Sequence, residues 1–459
     1  MAEPSSGIRV EETDSGSKVY LYAISLVAAI GGFLYGFYSG VISGVIPFVT
    51  EHFDLSVNWQ GFVVSSIVIG CIVGTLLAGS LSDRYGRKKV MIAAAFLFLA
   101  SAILSALPRT FAELIIARLI SGIAVGTVSV LSPVYIAEIA PARVRGQLVS
   151  INQLAIVSGI FLTYLTNWLL VDMGPANWRW MFAVGAIPSI LFCIALFFIP
   201  ESPRFLTKIG LRDRALEILT RINGRKRAEI VLSEVEKTMS QEKGTLSDLL
   251  KPGFRTVLII GCLLAVLSQW NGMAAILVYG PSIFMKAGYE SASSGFLAIV
   301  AIGFVNTIFT IVAIVAVDRF GRKGLLLIGF TGMFISITLT GYIYQSATIS
   351  GKIVIVPMLF FVAFFCMSVG AITWVLLSEI FPTKIRGTAM AIATMSLWVA
   401  NFVLSQVFPL MINSLGGNTF YLFGLITFVA VIFTWKMIPE TKNKTLEEIE
   451  QMWIRKANA

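Results

Sequence analysis

Gln153, Gln269, Asn271, Asn306 and Asn401 are amides set inside long apolar runs, and Trp374 and Trp398 lie in two of the same runs. An amide both donates and accepts hydrogen bonds, and an indole offers a flat apolar face. Together they suit a small solute with many hydroxyls and a few C–H faces. Amides are costly inside a bilayer unless a solute or a neighbouring helix uses them. No catalytic chemistry stands beside them. The one histidine, His52, is expected in a loop as a surface residue, and Cys71, Cys193, Cys262 and Cys366 lie in apolar runs without metal-ligand spacing. The sequence offers no nucleophile–base set, metal cluster or phosphate loop, so no enzymatic activity, cofactor or metal is expected.

Holding such side chains takes helices that cross a membrane. Of 459 residues, 57% are hydrophobic and 13% charged, more apolar surface than a soluble fold needs. A span takes about 20 apolar residues. The chain offers twelve such runs, the first centred near Ala29, the eleventh near Ile392 and the last near Phe428. The first begins near Val19 and passes Gly44, too long for a signal-peptide core, and is expected to be an uncleaved span. The net charge of +10 is unevenly placed: 30 of 35 basic residues fall on one side of the alternating runs. That bias marks cytoplasmic loops, so both termini are expected in the cytoplasm. The positive charge then reflects the lipid bilayer and its anionic headgroups, and no nucleic acid is expected as a partner.

The chain also repeats itself. Asp83-Arg84-Tyr85-Gly86-Arg87-Lys88 returns 235 residues later as Asp318-Arg319-Phe320-Gly321-Arg322-Lys323. Glu138, followed by Arg145, returns 241 residues later as Glu379, followed by Arg386. Pro200-Glu201-Ser202 returns 239 residues later as Pro439-Glu440-Thr441. Three landmarks at nearly one offset predict two six-helix halves. The expected division is a tail over 1–18, a bundle over 19–200, a cytoplasmic linker over 201–254, a bundle over 255–440 and a tail over 441–459. In the linker, Leu211, Ala215, Ile218, Leu219 and Ile222 are spaced for one apolar helical face, and a second helix is expected from Arg227 to Gln241. Thr445 to Glu448 reads as a capping box. Paired halves of this kind imply a solute site near the midplane, opened to each side by rocking. The fold class is therefore an all-α integral membrane protein of twelve transmembrane helices in two pseudo-symmetric bundles.

These landmarks resemble the sugar porter family of the major facilitator superfamily. The resemblance rests on Gly79 to Lys89 with Asp83, Gly86 and Arg87; on Arg118; on Pro133 to Glu138 with Arg145-Gly146; on Pro200-Glu201-Ser202-Pro203-Arg204; on Trp374 ahead of Glu379; and on Pro439-Glu440-Thr441. It implies that Gln153, Gln269, Asn306, Trp374 and Asn401 contact a monosaccharide, hexose- or pentose-like, and that Asn271 is structural. It also implies an inner gate latch among Arg87, Glu138, Arg145, Arg322, Glu379 and Arg386 that holds the outward-open form, with Trp398 a packing and gating residue. The chain departs from the family at Ser268, Ala274, Val278, Ile160 and Ala371, where hydroxyl-reading groups or a proline are usual.

Proton-coupled members carry an aspartate where this chain has Tyr38, while Arg118, its usual partner, is kept. Facilitated diffusion is therefore expected, with coupling to protons or sodium, or transport of a polyol or another small organic solute, as alternatives. A transport-inactive sugar sensor is a minor one. The protein is expected to work as a monomer in the cell membrane, the inner membrane if the source is Gram-negative.

Overall fold

The computed structural model describes residues 16–141, 143–239, 254–346, 351–381 and 386–442. Twelve of its helical segments are long and apolar enough to cross a membrane. The first five spans are single helices: α1 (Lys18–His52), α2 (Val57–Tyr85), α3 (Arg87–Ala106), α4 (Phe111–Ile139) and α5 (Arg145–Leu170). The sixth is α6 (Asn177–Ala183) followed by α7 (Ala186–Phe198). Three short helices follow: α8 (Pro203–Lys208), α9 (Arg212–Asn223) and α10 (Arg225–Met239). The seventh span is broken into α11 (Phe254–Trp270) and α12 (Met273–Lys286). Then come α13 (Ala292–Phe320) and α14 (Arg322–Gln345), a tenth span of α15 (Ile355–Met367) and α16 (Val369–Ile380), then α17 (Arg386–Ser414) and α18 (Asn418–Met437).

Spans one to six pack on one another, as do spans seven to twelve, which gives two bundles. Between helices in lipid, close approach of backbones does the work that water exclusion does elsewhere. Gly70 and Gly74 on α2 meet Gly122 and Gly126 on α4, so closely that a Cβ on Gly122 would lie 2.1 Å from the Ile67 carbonyl. Each bundle has a buried aromatic core, with Phe98, Tyr135 and Phe192 in the first and Phe330, Phe361 and Phe381 in the second. Leu76, Phe96, Ile187, Phe198, Phe360 and Trp435 point outward, as a lipid-facing surface requires.

The loops after α2 and α13 turn on Gly86 (φ 98°) and Gly321 (φ 76°), in the left-handed region that favours glycine. Both lie on the face that carries most of the basic residues, called here the basic face; the opposite one is the far face. On the basic face α9 buries Ala215, Leu219 and Ile222. Leu211 is not on that buried face: it is the residue before α9, with non-helical torsions, and is 41% exposed. The second linker helix starts at Arg225 rather than Arg227, because Gly224 (φ 78°) ends α9 and lets the chain turn at once. The Ser17 amide donates to the Arg221 carbonyl at 2.9 Å and ties the start of α1 to α9. The eleventh span is centred near Ala400, not Ile392, since Asn401, Ser405 and Gln406 dilute the apolar signal of its second half. The capping box at Thr445–Glu448 and the end of the expected helix at Gln241 lie outside the described residues, as do the side chains of Asp318, Arg319 and Phe320.

Candidate functional site: a polar pair at a helix break and two charge-locked bundles

The seventh span breaks because Asn271 and Gly272 cannot continue it. Gly272 is left-handed at φ 97°. The fully buried Asn271 amide donates to the Leu267 (3.2 Å) and Ser268 (2.7 Å) carbonyls and accepts the Met273 amide at 2.9 Å. Its polar atoms are all used by the break, which is the structural role expected of it. The break leaves Gln269 partly exposed near mid-span. Asn401, central in α17, donates to Gln269 Oε1 at 2.8 Å. The remaining polar atoms of this pair are held loosely. Gln269 Nε2 reaches Ser268 Oγ at 3.4 Å, and Asn401 Oδ1 reaches Ser405 Oγ at 3.5 Å, distances at the weak end for a hydrogen bond. A hydroxylated solute can take over both atoms at small cost.

Among the described residues, the other candidates make no side-chain hydrogen bond to this pair. Asn306, central in α13 and 4% exposed, accepts from Cys366 Sγ at 3.0 Å. Gln153 on α5 is partly exposed, and Trp374 on α16 is 42% exposed. Neither makes a side-chain hydrogen bond among the described residues. Trp398 is buried across the bundle boundary, its ring 6.3 Å from that of Tyr35 on α1.

Tyr38 fills a niche of its own. Its hydroxyl donates to the Phe98 carbonyl at 2.7 Å, sits 3.1 Å from Ser189 Oγ and 3.4 Å from the Gly185 carbonyl, and its ring packs 4.8 Å from Phe98. Arg118 is 1% exposed and donates only a long Nε bond, 3.4 Å, to the Val63 carbonyl. Its two terminal nitrogens have no protein partner among the described residues. A tyrosine hydrogen-bonded elsewhere gives this guanidinium no countercharge.

On the basic face each bundle carries the same lock. In the first, Arg87 forks onto Glu138 with two bonds of 3.1 Å and reaches Asp83 at 2.9 Å. Ser202 also donates to Glu138. Glu201 accepts the amides of Arg87 (2.9 Å) and Lys88 (3.1 Å) at the start of α3, where the helix dipole favours a carboxylate. In the second, Arg322 meets Glu379 at 3.0 Å, Thr441 donates to Glu379 at 2.6 Å, and Glu440 accepts the amides of Arg322 (3.0 Å) and Lys323 (3.1 Å). Both pairs lie within their own bundle. Arg145 does not meet Glu138; its Nη2 reaches the Ala140 carbonyl at 3.5 Å, and Arg386 Nε reaches the Phe381 carbonyl at 3.3 Å. The helix-capping roles of Glu201 and Glu440 were missing from the candidate set, although their duplication at one offset marked them.

Glu440 yields a pH prediction. Burial alone would raise its carboxyl, but the amides of Lys442, Arg322, Lys323 and Thr441 more than offset this and hold it below its ordinary value. A depressed folded pKa contributes stability above the unfolded value that is lost as pH falls through the folded one. Thermal scans in detergent should therefore show a smaller loss for Glu440→Gln than for the parent as pH falls below the ordinary glutamate value of about 4.3. Equal losses would count against the cap.

On the far face a cavity of about 180 Å³ lies between the bundles, lined in part by Thr50, Gln60, Ser282, Lys286, Phe408 and Asn413.

The family model described as "Sugar (and other) transporter" matches residues 24–453. An arabinose-proton symporter of Bacillus subtilis is 45% identical over 97% of this chain and 98% of its own. A D-xylose-proton symporter of Escherichia coli K12 is 38% identical over 95% and 96%. The structure of the E. coli xylose transporter XylE in a partially occluded inward-open conformation superposes with a TM-score of 0.84, at 37% identity, over 93% of this chain and all of that one.

Proposed function

Because the chain belongs to the sugar transporter family of the major facilitator superfamily, we propose that it carries a neutral monosaccharide by alternating access. The observation that carries this reading is the loosely satisfied Gln269–Asn401 pair at the break of the seventh span. Gln153, Asn306 and Trp374 complete the sugar-contacting set. Amides read the hydroxyls and the exposed indole covers a C–H face. A pentose is favoured over a hexose on two grounds. The relatives just named are an arabinose and a xylose symporter. The missing readers at Ser268, Ala274, Val278 and Ile160 also suit a solute without a sixth-carbon hydroxymethyl. The basic face is the cytoplasmic one, with both termini on that side, and the protein works as a monomer in the cell membrane. Arg87, Glu138, Arg145, Arg322, Glu379 and Arg386 set the inner gate.

Coupling divides into two readings. The named relatives are proton symporters and favour coupling over uncoupled diffusion. Uncoupled diffusion keeps one residue-level support: Tyr38 stands at the coupling position, and a phenol with an ordinary pKa of about 10 does not cycle protons near neutral pH. Loading proteoliposomes with an imposed proton gradient decides the matter. Accumulation of labelled D-xylose or L-arabinose, abolished by a protonophore, establishes symport; equilibration alone establishes diffusion.

The site itself is tested by Gln153→Ala and Gln269→Ala. Each should raise the KM for the transported pentose roughly tenfold, the range of one to two lost hydrogen bonds, with insertion and monodispersity unchanged. Normal kinetics in both variants would place the site elsewhere.

A further inference from the structure

The bundles are joined by hydrogen bonds in their far-face halves, along two seams that the internal repeat relates. One seam runs between α5 and the α12–α13 region, where Tyr164 donates to the Leu277 carbonyl at 2.7 Å and Trp168 donates to Ser293 Oγ at 3.2 Å. The other runs between α2 and α17, and there one side chain makes both bonds. Gln406 accepts from Ser65 Oγ at 2.8 Å and donates to the Asn58 carbonyl at 3.0 Å. An amide can do this because its oxygen accepts while its nitrogen donates. The α17 backbone comes close enough because residue 61 is glycine: a Cβ there would lie 2.3 Å from the Gln406 carbonyl oxygen.

We infer that Gln406 is a far-face latch, a positioning residue that sets how often the carrier opens to that side. Both of its bonds cross the bundle boundary, so both are lost when the far face opens and regained when it closes. A side chain with different partners in two states biases the equilibrium between them. Gln406 follows Asn401 by five residues on the same helix, so a rigid movement of that helix carries both side chains. The inference rests on the alternating-access reading proposed above. It does not depend on which sugar is carried.

The test uses the full chain with Ser282→Cys as reporter, since Ser282 lines the far-face cavity and is partly exposed. The rate of labelling by a membrane-impermeant thiol reagent is read in right-side-out and inverted vesicles, with the parent cysteines as background. Adding Gln406→Ala should raise the rate roughly tenfold, the scale of two cross-bundle hydrogen bonds lost from one state. Gln406→Glu, which keeps the acceptor for Ser65 but turns a carboxylate toward the Asn58 carbonyl, should raise it as well, and serves if the alanine variant does not fold. Ser65→Ala should raise it less, and combined with Gln406→Ala should add nothing further. An unchanged rate in both Gln406 variants, or full additivity with Ser65→Ala, overturns the latch. Labelling of residue 282 only from the cytoplasmic side would instead overturn the assigned orientation, while the ratio between variants still decides the latch.

Discussion

Arg87→Ala is expected to be among the most destabilising single substitutions on the basic face. Arg87 is 9% exposed, and the side chain of Glu138 is 8% exposed. Losing the guanidinium leaves a buried carboxylate whose one remaining hydrogen-bond partner among the described residues is the Ser202 hydroxyl. Breaking one side of a buried pair costs roughly 3–5 kcal/mol, because the remaining charge is desolvated without compensation. The thermal midpoint in detergent should fall sharply. Removing the carboxylate too, in Arg87→Ala/Glu138→Ala, should restore part of the loss. Arg322→Ala should be milder, since the side chains of that pair are 16% and 23% exposed and better screened by water. Equal midpoints for the two arginine variants would show that burial does not set the cost.

Gly61→Val should act on the cycle instead of the fold. Gly61 lies near the far-face end of α2, and any Cβ there runs into the Gln406 carbonyl oxygen at 2.3 Å. That obstacle is backbone, which no rotamer change can relieve. It exists only while α2 and α17 are in contact, so the variant should fold and insert but resist far-face closure. Uptake should drop by a factor of at least roughly ten, while labelling of a far-face reporter rises. Wild-type transport by Gly61→Val would mean that the two helices do not need to approach so closely.

Much of this was legible in the residues. Apolar run length gave twelve spans, and the repeated Asp83–Lys88, Glu138 and Glu201 landmarks gave two related halves, because both are local properties of the chain. The structural use of Asn271 was implied by the family resemblance, which leaves it outside the sugar-contacting set, but the helix break it holds was not read from the sequence. What depends on distant packing was not legible either. The niche of Tyr38 is built from Phe98, Gly185 and Ser189, and no spacing rule joins residue 38 to residue 189. Glu138 and Arg145 look like partners at seven residues' separation, yet the helix end between them points Arg145 at a carbonyl and leaves Glu138 to Arg87. Gln406 belongs to no motif or repeat in the sequence. Its meaning comes from Ser65 and Asn58, which are far from it in sequence.

Counterflow through proteoliposomes holding only this protein tests the carrier account most directly. Vesicles preloaded with unlabelled D-xylose or L-arabinose are diluted into a trace of the labelled sugar. A carrier that exposes one polar cleft to each side in turn should give a transient overshoot of internal label. That overshoot should be lost with Gly61→Val and reduced with Gln269→Ala. Label that never enters, for any pentose or hexose tried, would contradict the account.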